Sequence, residues 1–183
     1  RRMRDIELFD SVVAGTTAAP AEPELRTVRL AVCRSYFFEG LDPEVARVAG
    51  AALAKLESAG VTLVETEMPG LAELVERITN QVQFHDTQPS LTRYLERYKS
   101  GVTFDQLAAQ ASADIRATFA QYVLPGGSGV VTEAVYRKAV DEDLPRLRAL
   151  LRDTFERTQA TALVFPATMT TAPRIGDEGK LSF

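Results

Sequence analysis

The run Pro-Gly-Gly-Ser-Gly-Val at 125–130 sets a serine among glycines, the composition of a nucleophile elbow. An elbow needs Gly-x-Ser-x-Gly between a strand and a helix, so that a strained turn exposes the hydroxyl. Here the residue two after Ser128 is Val130 and both flanks are patterned as helix, so the reading is a flexible interhelical turn. His85 is the only histidine, which leaves one imidazole for any Ser-His triad or zinc site. Its neighbour Asp86 is poorly placed to orient it from the adjacent position. Asp141, Glu142 and Asp143 are a run of carboxylates, but consecutive helical residues point in different directions, so they read as a solvated face before Pro145. Cys33 lies in an apolar stretch with no basic neighbour to favour its thiolate, as an inert core thiol would. Lys99 and Ser100 are adjacent, and adjacency alone builds no Ser-Lys dyad. The residues themselves therefore supply no complete catalytic constellation, no cofactor motif and no metal-ligand set.

The chain has 183 residues, 45% hydrophobic and 25% charged, with a net charge of −4. That length buries roughly 70% of the unfolded surface on folding, so no disulfides are required. One cysteine suits a reducing compartment, and the reading is cytoplasmic. Mild acidity argues against a nucleic-acid groove. No apolar run reaches the length of a membrane span.

Positioning elements follow from periodicity. Ile6, Phe9, Val12 and Val13 lie at helical spacing, giving an amphipathic first helix, followed by a Pro-, Ala- and Thr-rich loop over 15–24. The stretch 27–34 reads as an inner strand covered on both faces. Asp42 as N-cap, Pro43 and Glu44 in the first turn, and Gly60 as terminator bound a helix. Its apolar stripe is Val45, Val48, Ala49, Ala52, Leu53 and Leu56. A strand at 61–67 completes a βαβ unit. The stretch 71–98 reads as a helix broken near Pro89 and resumed after it. Two short helices follow, with Thr103 and Ser112 as N-caps. Residues 131–158 form one long helix or a kinked pair bent at Pro145, with a stripe of Leu144, Leu147, Leu151 and Phe155. Residues 162–166 are a third, inner strand. The class is α/β.

The order of these segments resembles the amidase-signature hydrolases. The Arg-containing opening at 1–15 looks like the segment after that family's catalytic core. Residues 25–69 are similar to its following βαβ unit, including a Gly-Leu-Asp-Pro-Glu-Val helix start at Gly40 to Val45. Residues 162–177 resemble its late strand and loop, where Pro166, Thr168, Ala172, Pro173, Ile175 and Gly176 match while Ala167 and Met169 depart. Within the family, 84–98 and 122–139 look most like the indoleacetamide and mandelamide hydrolase branch. The resemblance covers nearly the whole chain.

This resemblance implies the C-terminal part of an α/β/α sandwich, a mixed sheet covered by helices, incomplete on its own, with 1–183 as a single α/β region lacking the catalytic N-terminal part. The implied activity is hydrolysis of a carboxylic amide to acid and ammonia through two serines and a lysine, all upstream, without a cofactor. The family's Gly-Ser-Ser signature does not occur in this sequence, so the chain by itself is expected to be inactive. Phe84, His85, Gln88 and Tyr94, around the expected break, and Pro166 and Thr168, at a strand end, are the candidate substrate-binding residues. The expected partner is a small-molecule amide, with self-association through apolar surface and no nucleic-acid or membrane partner. A stand-alone non-catalytic α/β binding module is the alternative, and a structural domain serving a separate catalytic chain is the third reading.

Overall fold

The computed structural model of the chain describes residues 3–16 and 23–174. They divide into two units: the described residues of Arg1–Val32, Gly40–Val64 and Ala160–Phe183, and those of Cys33–Glu39 and Glu65–Gln159. The elements, in chain order, are α1 (Met3–Ala14), a 3-10 turn (Leu25–Thr27), β1 (Arg29–Cys33), α2 (Arg34–Phe37), α3 (Pro43–Ser58) and β2 (Thr62–Thr66). They continue with α4 (Leu71–Arg97), α5 (Phe104–Gln110), α6 (Ala113–Tyr122), α7 (Glu133–Lys138), a π-turn (Ala139–Asp143), α8 (Leu144–Thr158) and β3 (Ala162–Leu163).

The three strands form a sheet in the order β2-β1-β3. β1 and β3 run parallel, with Leu30 opposite Ala162 and Ala31 opposite Leu163. β1 is the inner strand its pattern predicts, with Ala31 and Val32 wholly buried. β3 is not inner. It holds two residues at the edge of the described sheet, and Phe165 just beyond it is exposed. Val164 still donates to the Ala31 carbonyl at 3.0 Å, but Pro166 has no N–H with which to continue the ladder.

α3 begins as its sequence dictates. The Asp42 carboxylate accepts from the Glu44 N–H at 2.8 Å, and Pro43 enters the first turn. Gly60 ends it at φ 100°, a backbone that a side chain would strain. The buried stripe is narrower than periodicity suggests: Leu53 is buried and Val45, Ala49 and Leu56 half-buried, while Val48 and Ala52 are exposed. α1 forms, but Ile6, Phe9, Val12 and Val13 all stand exposed. Of the loop expected over 15–24, residues 17–22 lie outside the described residues.

The second unit is helical. Against expectation, α4 is one 27-residue helix with Pro89 inside it. The proline removes one backbone hydrogen bond, and the helix continues through it with the π-turn, α8, α7 and α5 packed against it. Thr103 caps α5 in a reciprocal box with Gln106, at 3.2 Å and 2.9 Å. Ser112 stands at the N-cap of α6 without a side-chain capping bond. Residues 133–158 form one helical run, and its irregular segment precedes Pro145. A π-turn separates α7 from α8 and puts Pro145 in α8's first turn, where its missing N–H is tolerated. In α8, Leu144, Leu147, Leu151 and Phe155 are half-buried, whereas Thr154 and Thr158 are buried. Their hydroxyls donate to carbonyls one turn back.

Candidate functional site

Phe84, His85, Gln88 and Tyr94 all belong to α4, and the unbroken helix distributes them around its axis. At about 100° per residue, Gln88 lies about 40° from Phe84, while His85 and Tyr94 fall on nearly opposite sides. They do not form one wall. Phe84 stacks its ring on Tyr122 at 4.6 Å and packs against the buried group of Phe104, Ala108 and Val123. Gln88 opens onto a cleft of about 300 Å³, lined also by Thr92, Leu95, Glu96, Val102 and Phe104. Tyr94 is exposed beside Tyr98, ring centroids 4.7 Å apart.

His85 has the most elaborate surroundings. Its Nδ1 lies 3.2 Å from Asp86 Oδ1 and its Nε2 3.2 Å from Glu133 Oε2 on α7. The imidazole stacks on Tyr136 at 3.7 Å with an interplanar angle of 11°. The Tyr136 hydroxyl donates to the other Asp86 oxygen at 3.4 Å. Asp86 thus does orient the imidazole, contrary to the reading from adjacency: along a helix surface its carboxylate turns back onto the ring. Partial burial first, then the charge of Asp86, push the Tyr136 phenol above its ordinary value. Arg137 donates to Glu133 at 2.9 Å.

Pro166 and Thr168 belong to the other unit. Pro166 is half-buried and Thr168 exposed. The Thr168 hydroxyl accepts from the Thr170 N–H at 3.1 Å and donates to the Thr170 carbonyl, which closes a local turn. The loop is pinned where the Met169 carbonyl accepts from the Asp42 N–H at 2.9 Å. Ile175 and Gly176, which carry part of the sequence resemblance, lie outside the described residues.

The carboxylate run needs correction. Asp141 and Glu142 are exposed, but Asp143 is 1% exposed and bound by two arginines, Arg77 at 3.2 Å and Arg146 at 3.5 Å. Part of the signal was present: on a helix the third residue of a run turns away from the first, and Arg146, three positions on, can reach it. Glu133 and Tyr136 were also missed, although their i,i+3 spacing puts them on one face of α7. Ser128 sits in an exposed turn between α6 and α7, as its flanks predict. Cys33 is buried. Among the described residues no three His, Cys, Asp or Glu side chains come together to hold a metal, and no helix is long and apolar enough to cross a membrane.

Residues 3–182 match the family model described as Amidase. Mandelamide hydrolase of Pseudomonas putida is 33% identical over 176 residues, which is 92% of this chain and 34% of that protein. Indoleacetamide hydrolase of Allorhizobium ampelinum is 29% identical over 176 residues, 96% of this chain and 37% of its own length. A crystal structure of an amidase superposes with a TM-score of 0.64 at 21% identity, covering 96% of this chain and 36% of that one. The chain therefore spans about a third of the length of these relatives.

Proposed function

Because this chain belongs to the amidase family, we propose that it is the C-terminal portion of an amide hydrolase acting on aryl-acetamide-type substrates. The observation that carries this reading is the alignment, over more than nine-tenths of the chain, with relatives named for mandelamide and indoleacetamide. The nucleophile, the bridging serine and the lysine base are assigned to sequence upstream, where they generate an acyl-enzyme that water cleaves. The enzyme is placed in the cytoplasm, and its partner is a small amide.

In this reading the present residues shape substrate access and carry none of the bond-breaking. Gln88 lines a cleft of mixed character, with Thr92, Glu96 and Asp105 beside Leu95, Val102 and Phe104, which suits recognition of a small polar group. Phe84, His85 and Tyr94 of the helical unit, and Pro166 and Thr168 of the strand unit, remain proposed substrate contacts, each within its own unit. The exposed apolar side of α1 supports self-association, since large exposed apolar patches favour contact with other surfaces. Sedimentation at rising concentration reads this out, and a monomer throughout would count against it.

Ammonia release from indoleacetamide, mandelamide and benzamide tests the assignment. The full-length enzyme is expected to turn over the two aryl-acetamides and the 183-residue chain none of them. Equal preference for small aliphatic amides would overturn the substrate class, and turnover by the chain alone would overturn the division of labour.

A further inference from the structure

We propose that His85 is a proton-operated clasp between α4 and α7: protonated, it holds Asp86 of its own helix and Glu133 of α7 at once, and on losing the Nε2 proton it keeps Asp86 and lets Glu133 go. Each ring nitrogen lies 3.2 Å from a carboxylate oxygen, one on each helix. An imidazolium has two N–H donors and a neutral imidazole one, so only the charged ring can donate to both. The stack on Tyr136 at 3.7 Å holds the ring plane, so the imidazole cannot simply swing to another partner.

The charged and titratable groups facing the clasp make release feasible. Glu133 retains Arg137 at 2.9 Å, and Arg137 also lies 3.9 Å from Asp141 of the π-turn. Asp86 retains the Tyr136 hydroxyl. Arg77 of α4 and Arg146 of α8 are engaged by Asp143. Neither carboxylate is left bare when the ring lets go, so the opened state carries no large desolvation penalty. Imidazole changes charge between about pH 5 and 8, where the other side chains named here ordinarily do not. What loosens is α7, which follows the glycine-rich turn and is the N-terminal end of a helical run that continues through the π-turn into α8; helix ends open more readily than interiors.

The chain has one histidine, so a single imidazole resonance reports its protonation. The test is an NMR titration of that resonance from pH 5 to 8, with amide exchange of Glu133–Lys138 corrected for intrinsic rates. Protection of α7 is expected to fall roughly two- to fivefold as His85 loses its proton, the range of a half-exposed ion pair, with the same midpoint as the ring. His85→Phe retains an aromatic ring for Tyr136 and should abolish the step. If that variant does not fold, Glu133→Gln, with the histidine kept, should shrink it. A step that survives whichever of these variants folds, or a ring that titrates while α7 protection stays flat, would overturn the clasp.

Discussion

Arg77 of α4 reaches Asp143 of the π-turn across 66 positions of sequence, its Nε and Nη2 each 3.2 Å from a different carboxylate oxygen. The two ends of this contact are unequal. The Asp143 side chain is 2% exposed, whereas that of Arg77 is 47% exposed.

That inequality predicts an asymmetry in mutational cost. Arg77→Ala leaves a buried carboxylate with Arg146 alone and should cost about 2–3 kcal/mol. Asp143→Ala leaves two arginines that water can reach and should cost about 1 kcal/mol, the scale of a partly exposed ion pair. Urea unfolding of both singles and the double checks it. The double variant should cost less than the sum of the singles.

The turn at 125–130 separates two kinds of glycine requirement. A Cβ on Gly127 would lie 2.4 Å from the Gln121 carbonyl oxygen and 2.5 Å from that of Ala120, backbone atoms that cannot step aside. Gly126 has φ 87° but open space around it. Gly127→Ala should cost roughly 2–3 kcal/mol through overpacking, and Gly126→Ala about 1–2 kcal/mol through backbone strain alone. Thermal melts of the two variants distinguish them.

Tyr136 should ionise above the ordinary phenol value of about 10, since burial and the Asp86 charge both oppose the phenolate. The native state then holds its proton longer than the unfolded chain does. This contribution to stability is present below the unfolded value and disappears as pH rises through the native one. Asp86→Asn should move the midpoint part of the way back, leaving the effect of burial. The ring carbon shift of labelled Tyr136, followed from pH 8 to 12, reads this directly.

Thr66 at the end of β2 is 6% exposed, and its hydroxyl has no hydrogen-bond partner among the described residues. Thr66→Val keeps the shape and removes the unpaired group, so it should stabilise by about 1 kcal/mol. Denaturant midpoints at unchanged slope measure the gain. A loss would mean that the hydroxyl has a partner beyond the described residues.

Much of the local architecture was legible because one residue type fixes it. Asp42 with Pro43, Thr103 as an N-cap and the apolar run of β1 each specify an element through short-range chemistry. Pro89 misled because local propensity says break, while tertiary packing against α4 says continue, and packing prevailed. That error carried into the candidate site: residues gathered around a break become residues spread around a helix. Asp86 misled for a related reason, since adjacency in sequence says little about where a carboxylate turns once a ring is fixed by stacking. Arg77 as a partner of Asp143 could not be read because it depends on which face of the π-turn meets α4, a relation between distant segments.

A wide turn of this kind takes up one residue more than an α-turn would, and it advances everything beyond it by about 100°. The π-turn at Ala139–Asp143 therefore acts as a phase adjuster. It separates the azimuth at which α7 presents Glu133 and Tyr136 from the azimuth at which α8 presents its apolar side. Removing one residue there would let a continuous α-helix form, with both flanking sequences intact and their mutual rotation lost. Residue count in this segment is thus a structural variable in its own right, to which substitutions at constant length are blind.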